Sequence, residues 1–244
     1  MSYYRAKDVI YGEVRSYVRV HLLNRQWMNR ETGVKTEADD PEAVPVFKFN
    51  IPEEVPTQNY NYRYLTTVFL RRPDLSPFKM ALSSQEWCGS TYKHLRWQEG
   101  KLRVLSFSYF PQEGERSWTV DGSAVPYEAL PLMARDVAAA GTGRALRLMM
   151  PMRSNRQRVP EIRSARLEVG RPETIRVPLG VFSARTIRLD WDGPPAVFWV
   201  EAVPPYRLLR YEMDTLQGEL LHVERRPYWD RSSKSAFYRQ GHAP

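Results

Sequence analysis

Between positions 78 and 110 the chain alternates strand-forming runs with turn residues at a spacing that fits an antiparallel meander and little else. Residues 78–84, 90–97 and 102–110 read as three consecutive strands, and Gln98-Glu99-Gly100-Lys101 between the last two is a hairpin signal. Upstream, residues 9–28 alternate apolar Val14, Val18, Val20 and Leu22 with polar partners, which predicts one or two long strands. A polar loop follows at 29–43, then a short strand at 44–50. Pro52 and Pro56 punctuate a turn before the strongly strand-like residues 60–70.

Helical periodicity occurs once. Leu130, Leu132, Met133 and Val137 predict a helix within 125–140, ended by Gly141. Strands are expected again near 144–151, 161–169, 173–178, 182–190, 196–203, 206–213 and 217–225. Many strands, one helix and many strands again predict a mostly β fold: a curved antiparallel sheet, half-barrel or open barrel, packed on one α-helix. The expected organisation is a single domain over 1–244, with halves at 1–115 and 125–229 and a basic, loosely held tail at 230–244 that carries Tyr238 among its aromatics.

The formal charge is +8, and 29 of the 36 basic residues are arginine. They are dispersed, as in Arg15, Arg19 and Arg25, and alternation places such residues on a solvent face. No basic-aromatic run forms a nucleic-acid motif, so no specific nucleic-acid binding is expected. A single cysteine excludes an intramolecular disulfide and zinc clusters of Cys pairs. No run of 18 apolar residues exists, so no transmembrane segment is expected, and the first residues lack the form of a signal peptide.

The densest cluster of reactive groups is Gln85-Glu86-Trp87-Cys88, with His94 six residues beyond the cysteine. A thiolate nucleophile needs a nearby base and an orienting carboxylate, so Cys88, His94 and Glu86 are the catalytic candidates if the chain is an enzyme. The alternative is a buried cysteine serving as a small apolar side chain. His21, His94, His222 and His242 lack metal-ligand spacing, and no metal or other cofactor is expected. Gly141-Thr142-Gly143 follows a helix instead of opening one and reads as a turn. Glu113 and Glu115 read as a solvated loop edge or a carboxylate pair. Tyr62, Tyr64, Trp97, Phe107, Tyr109 and Trp199, with Gln85, Glu86 and Trp87, are the expected ligand-binding set, lining the concave side of the sheet. Packing under the helix is the other reading of the same aromatics.

Ser83-Ser84-Gln85-Glu86-Trp87-Cys88-Gly89, with Thr91-Tyr92 and Ser106-Phe107-Ser108-Tyr109-Phe110, resembles a family of uncharacterised exported bacterial proteins. Ser90 stands where that family often has histidine. Val177-Pro178-Leu179-Gly180-Val181-Phe182, Val197-Phe198-Trp199-Val200 and Arg207 to Glu212 are similar to domains of unknown function built like the lipoprotein-carrier half-barrel. The resemblance implies a periplasmic or cell-envelope location, the alternative being cytoplasmic, and brings no catalytic residues.

The expectation is a non-enzymatic envelope protein that binds an apolar small molecule or lipid, or a partner protein, in the concavity of its sheet. A cysteine-dependent enzyme and a structural subunit of a surface assembly are the alternatives.

Overall fold

A computed structural model describes residues 1–230, 232–235 and 237. Sixteen strands follow in chain order: β1 Ser2–Ile10, β2 Glu13–Asn29, β3 Lys35–Thr36, β4 Ala43–Val55, β5 Tyr62–Arg71, β6 Pro77–Glu86, β7 Gly89–Gln98, β8 Lys101–Ser108, β9 Gly114–Asp121, β10 Ala124–Pro126, β11 Arg144–Met149, β12 Ile162–Val177, β13 Gly180–Trp191, β14 Ala196–Glu201, β15 Leu208–Met213 and β16 Leu216–Val223. One helix, α1 Leu130–Ala140, follows β10 through a short 3-10 turn. The strand order is β10-β11-β12-β13-β14-β15-β16-β1-β2-β4-β5-β6-β7-β8-β9, with β3 on β2, and the whole forms a nearly closed barrel-shaped sheet. The expected fold class, a mostly β curved sheet packed on one helix, is the fold observed.

Local chemistry explains the departures in detail. Of the one or two strands expected over 9–28, two form: Tyr11 and Gly12, both at positive φ, make a two-residue turn between β1 and β2. Pro52 does not end a strand. β4 runs through it, paired to Leu65 of β5, but the ladder from β4 to β2 has already stopped at Leu22 and Asn50. A missing N–H is tolerated where one flank of a strand has no ladder. Residues 114–121 form β9, paired antiparallel with β8. The strands expected at 161–169 and 173–178 are one strand, β12, with an irregularity between Val169 and Pro172.

Helix α1 buries Leu130, Leu132, Met133, Ala134, Val137 and Ala138 against β12 to β15. Gly141 ends it in the left-handed conformation, its N–H donating to Val137 O at 3.0 Å. The large core cluster includes Tyr4, Phe49, Met80 and Val104 from one side of the barrel and Ala184, Phe198 and Leu220 from the other. Phe237, in the segment expected to be loosely held, is fully buried and stacks on Tyr3 at 4.2 Å. Tyr238 and His242 lie outside the described residues. No helix among the described residues is long and apolar enough to cross a membrane.

The segment at 150–161 enters the barrel and lies against the inner faces of β6, β7 and β8. Those faces carry polar residues that strand alternation would assign to solvent: Ser84, Thr91, Lys93 and Ser106 are all buried. Lys93 Nζ donates to the carbonyls of Met152 (2.7 Å) and Ser154 (3.0 Å), and Thr91 donates to Asn155 O at 2.5 Å. Burial lowers the Lys93 ammonium to about 8. The strap thus supplies acceptors for Lys93 and Thr91, and its Gln157 donates to the Ser106 carbonyl at 3.3 Å.

Candidate functional site

Two openings lie toward opposite ends of β1, β2 and β4, separated by a packed layer. That layer contains Tyr4, His21, Phe49 and Tyr211, with His21 4.6 Å from Tyr4 and 5.1 Å from Phe49 between ring centroids. Burial, reinforced by the Arg19 charge, holds His21 well below its ordinary value, so the imidazole is neutral. Its Nε2 then accepts from Arg19 Nη1 at 3.3 Å.

Toward the first opening, the β2–β4 ladder is missing and side chains bridge the strands instead. Tyr17 donates to Glu53 at 2.8 Å, and Arg19 Nε lies 3.0 Å from the same carboxylate. Arg153, from the strap, donates to Glu53 (2.9 Å) and to Asp8 of β1 (2.8 Å), and Thr215 also donates to Asp8. Burial pushes the Glu53 carboxyl up, but Arg153 and Arg19 outweigh it and hold the group below the usual carboxylate range. The expectation that Arg19 faces solvent is therefore corrected: it is buried because its partner is buried with it.

At the other end lies a cleft of about 1140 Å³, bounded by the interior ends of β1, β2 and β4, the start of α1 and the residues that follow β16. Leu23, Phe47, Phe49, Leu132, Leu208 and Val223 provide an apolar wall, and Trp229 stands exposed beside it. Five arginines, Arg25, Arg135, Arg207, Arg225 and Arg226, share the lining with one carboxylate, Glu224. Arg207 is neutralised by Glu201 and Arg226 by Glu224. Arg25 and Arg225 form no ion pair among the described residues. Arg135 donates to the carbonyls of Tyr206 (2.8 Å) and Pro205 (3.2 Å), and burial lowers its pKa. The cleft is thus apolar inside and cationic overall.

The residues singled out from sequence do not meet in one place. Tyr62 and Tyr64 line the first opening. Gln85, Glu86 and Trp87 flank a shallow depression at the β6–β7 tip, where Trp87 is 83% exposed and stacks on Tyr60 at 5.1 Å. Trp97 is core, its indole N–H donating to Ala124 O at 2.8 Å. Phe107 and Tyr109 are exposed, and Phe107 alternates with the buried Ser106, so it lies outside the barrel. Trp199 alternates with buried Phe198 and Val200, and its indole donates to Glu173 at 3.0 Å. An aromatic-lined concavity built from all of these is not what the chain forms.

Cys88 is exposed at the tip, within 3.0 Å of the Tyr60 hydroxyl, and Glu86 lies 3.4 Å from that hydroxyl. His94 sits five residues along β7 from Gly89, roughly 16 Å at the strand rise, stacked beside Tyr92. The hairpin that makes this stretch recognisable also separates the thiol from the imidazole. Glu113 accepts from Ser108 and the Gln157 amide, which fastens the strap, whereas Glu115 is exposed on β9.

The buried Arg19, Glu53 and Glu128 and the partly buried Arg153 lie outside the expected site residues. A signal existed for one: Phe49, Ile51, Glu53 and Val55 occupy one face of a strand, and an acid in such a row needs a buried partner.

No protein-family model and no curated protein sequence matches the chain. Among solved structures it is similar to a beta-barrel-like protein of the domain of unknown function DUF1849 from Brucella abortus. That similarity has a TM-score of 0.54 at 12% identity and covers 90% of this chain and 94% of the other. The likeness extends to the fold alone.

Proposed function

We propose that this chain is a binding protein, not an enzyme, and that its ligand is an apolar molecule with an anionic head taken into the large cleft. The observation that carries this reading is the combination, in one opening of about 1140 Å³, of an apolar wall with arginines that form no ion pair among the described residues. Burying an acyl chain there removes about 0.8 kcal/mol per methylene from the cost of its exposure to water. Arg25 and Arg225 supply charge for a carboxylate or phosphate head. In the same reading the protein works in the cell envelope, a placement supported by the resemblance of residues 83–89 to exported bacterial proteins.

The test is titration with palmitate and with its uncharged methyl ester, read by melting temperature and by mass spectrometry of the native complex. A palmitate concentration 100-fold above Kd is expected to add about 2.7 kcal/mol, or about 5–10 °C for a chain of this size. The ester should bind more weakly, and Arg25→Glu with Arg225→Glu should remove the preference for the acid. Absence of any melting shift, together with no lipid in organic extracts of the purified protein, would overturn the reading.

A further inference from the structure

The outer face of the sheet over β5 to β8 departs from ordinary alternation. An antiparallel sheet with one face on the core normally reads apolar inside and polar outside. β8 buries Leu102 and Val104, yet its outward residues include Leu105 and Phe107, and the exposed Tyr109 continues the line past the end of the strand. Register places Phe107 opposite Tyr92 of β7, Tyr92 opposite Ser83 of β6 and Ser83 opposite Leu65 of β5. Leu105 stands opposite His94 in the adjacent row. Leu65, Tyr92, Leu105 and Phe107 are each 41–45% exposed and Tyr109 is 71% exposed, so they form one contiguous apolar patch in water and not a scatter of single residues. None of the five lines either opening or the depression at the β6–β7 tip.

Positive charge borders this patch. The next outward row, two residues further along each strand, runs Lys48, Phe69, Lys79, Arg96 and Arg103 across β4 to β8. Lys79 with Arg96 and Arg96 with Arg103 are direct cross-strand pairs of like charge, an arrangement that costs stability. Arg96 is nearly buried and donates to the carbonyls of Phe78 and Arg30, and Lys79 donates to Gly33 O at 3.0 Å. Those bonds neutralise no charge, and none of the four cations forms an ion pair among the described residues. At the spacing of strands the row is about 19 Å long. The two apolar rows hold a single acid, Glu115, opposite Phe107 at the β9 margin. A protruding side chain of a protein partner needs a pocket to enter, and this face has none. A fluid apolar layer behind negative charge needs only a flat surface of this composition. We propose that the outer face of β5 to β8 docks on an anionic lipid bilayer, its apolar patch entering the headgroup boundary while Lys48, Lys79 and Arg103 meet lipid phosphates. The surface is separate from the large cleft and does not depend on what the cleft holds.

The test sediments the full chain, without palmitate, with vesicles of phosphatidylcholine alone and of an equimolar mixture with phosphatidylglycerol. Binding to the anionic vesicles is expected to be at least tenfold tighter than to the neutral ones and to weaken as salt is raised. Leu105→Ser with Phe107→Ser, both facing outward, should weaken binding at least tenfold without lowering the melting temperature. Lys48→Gln with Arg103→Gln should remove the preference for anionic vesicles. Arg25→Glu with Arg225→Glu should bind as the parent does, which separates this face from the mouth of the cleft. No sedimentation with either vesicle, equal affinity for both, or binding that only the cleft variant weakens would overturn the proposal. So would a dimer in light scattering that Leu105→Ser with Phe107→Ser turns into a monomer, because a second copy would then cover the face. Loss of palmitate binding alone leaves this surface standing and bears only on the cleft.

Discussion

Replacing Glu53 with glutamine is the sharpest probe of how the barrel is held where its β2–β4 ladder ends. The side chain has no solvent exposure and meets Arg153 at 2.9 Å, Arg19 at 3.0 Å and the Tyr17 hydroxyl at 2.8 Å. Glu53→Gln keeps the volume but leaves the buried Arg19 with no carboxylate within ion-pair distance among the described residues, and Arg153 with Asp8 alone. Breaking a buried pair by removing one partner costs about 3–5 kcal/mol. For a chain of this length that is a fall in melting temperature of roughly 6–20 °C. The acid side carries a second signature. Because the folded-state pKa of Glu53 is lowered, its contribution is present above the ordinary glutamate value of about 4.3 and is lost as pH falls through the folded value. The variant should therefore show a flatter acid limb when unfolding is followed calorimetrically from pH 7 down to pH 3. Tyr17→Phe should cost about 1.5–3 kcal/mol in the parent, as a bond to a charged group, and much less beside Glu53→Gln. A melting temperature for Glu53→Gln within 2 °C of the parent, or an unchanged acid limb, would refute the account.

Two further outcomes follow from the packing. A Cβ at Gly218 would sit 2.2 Å from the ring of Tyr211, which is fully buried and accepts from Arg19, so Gly218→Val should destabilise by about 1–3 kcal/mol in urea unfolding; an unchanged midpoint would show that the ring has room to move. Cys88 should react with a thiol reagent in the native protein at nearly its rate in the denatured chain, and His94→Ala should leave that rate alone. Protection of the thiol until unfolding, or slowing by His94→Ala, would restore the pairing that the hairpin separates.

Most of the barrel was readable in one dimension, because strand alternation and two-residue turns are local properties. The Glu99-Gly100 turn joins β7 and β8 in the expected place, and Gly141 stops α1 where its left-handed conformation is needed. The apolar alternation runs smoothly across Tyr11-Gly12, so the pattern alone leaves one strand or two open there, although a glycine inside such a run is itself a turn signal. The site was less legible. Tyr62 and Tyr64 line a cavity, but Trp97 is core and Trp199 lies on the face opposite buried Phe198 and Val200, because aromatic character does not tell a strand's two faces apart.

What the sequence determined alone is the period-two pattern of most strands and the one helix; β3, β9, β10 and most of β1 lie outside the strands it predicts. Only the tertiary structure decided which alternating face became the inside. Polar Arg19, Lys93 and Ser106 are interior because the strap at 150–161 and the acids Glu53 and Asp8 arrive there from distant parts of the chain. A charge is buried only where its partner is buried with it, and that partner lies 34 residues away for Arg19 and 100 for Glu53 with Arg153. No local pattern carries that distance, so the first opening, which those pairings flank where the β2–β4 ladder has ended, exists only in the folded chain.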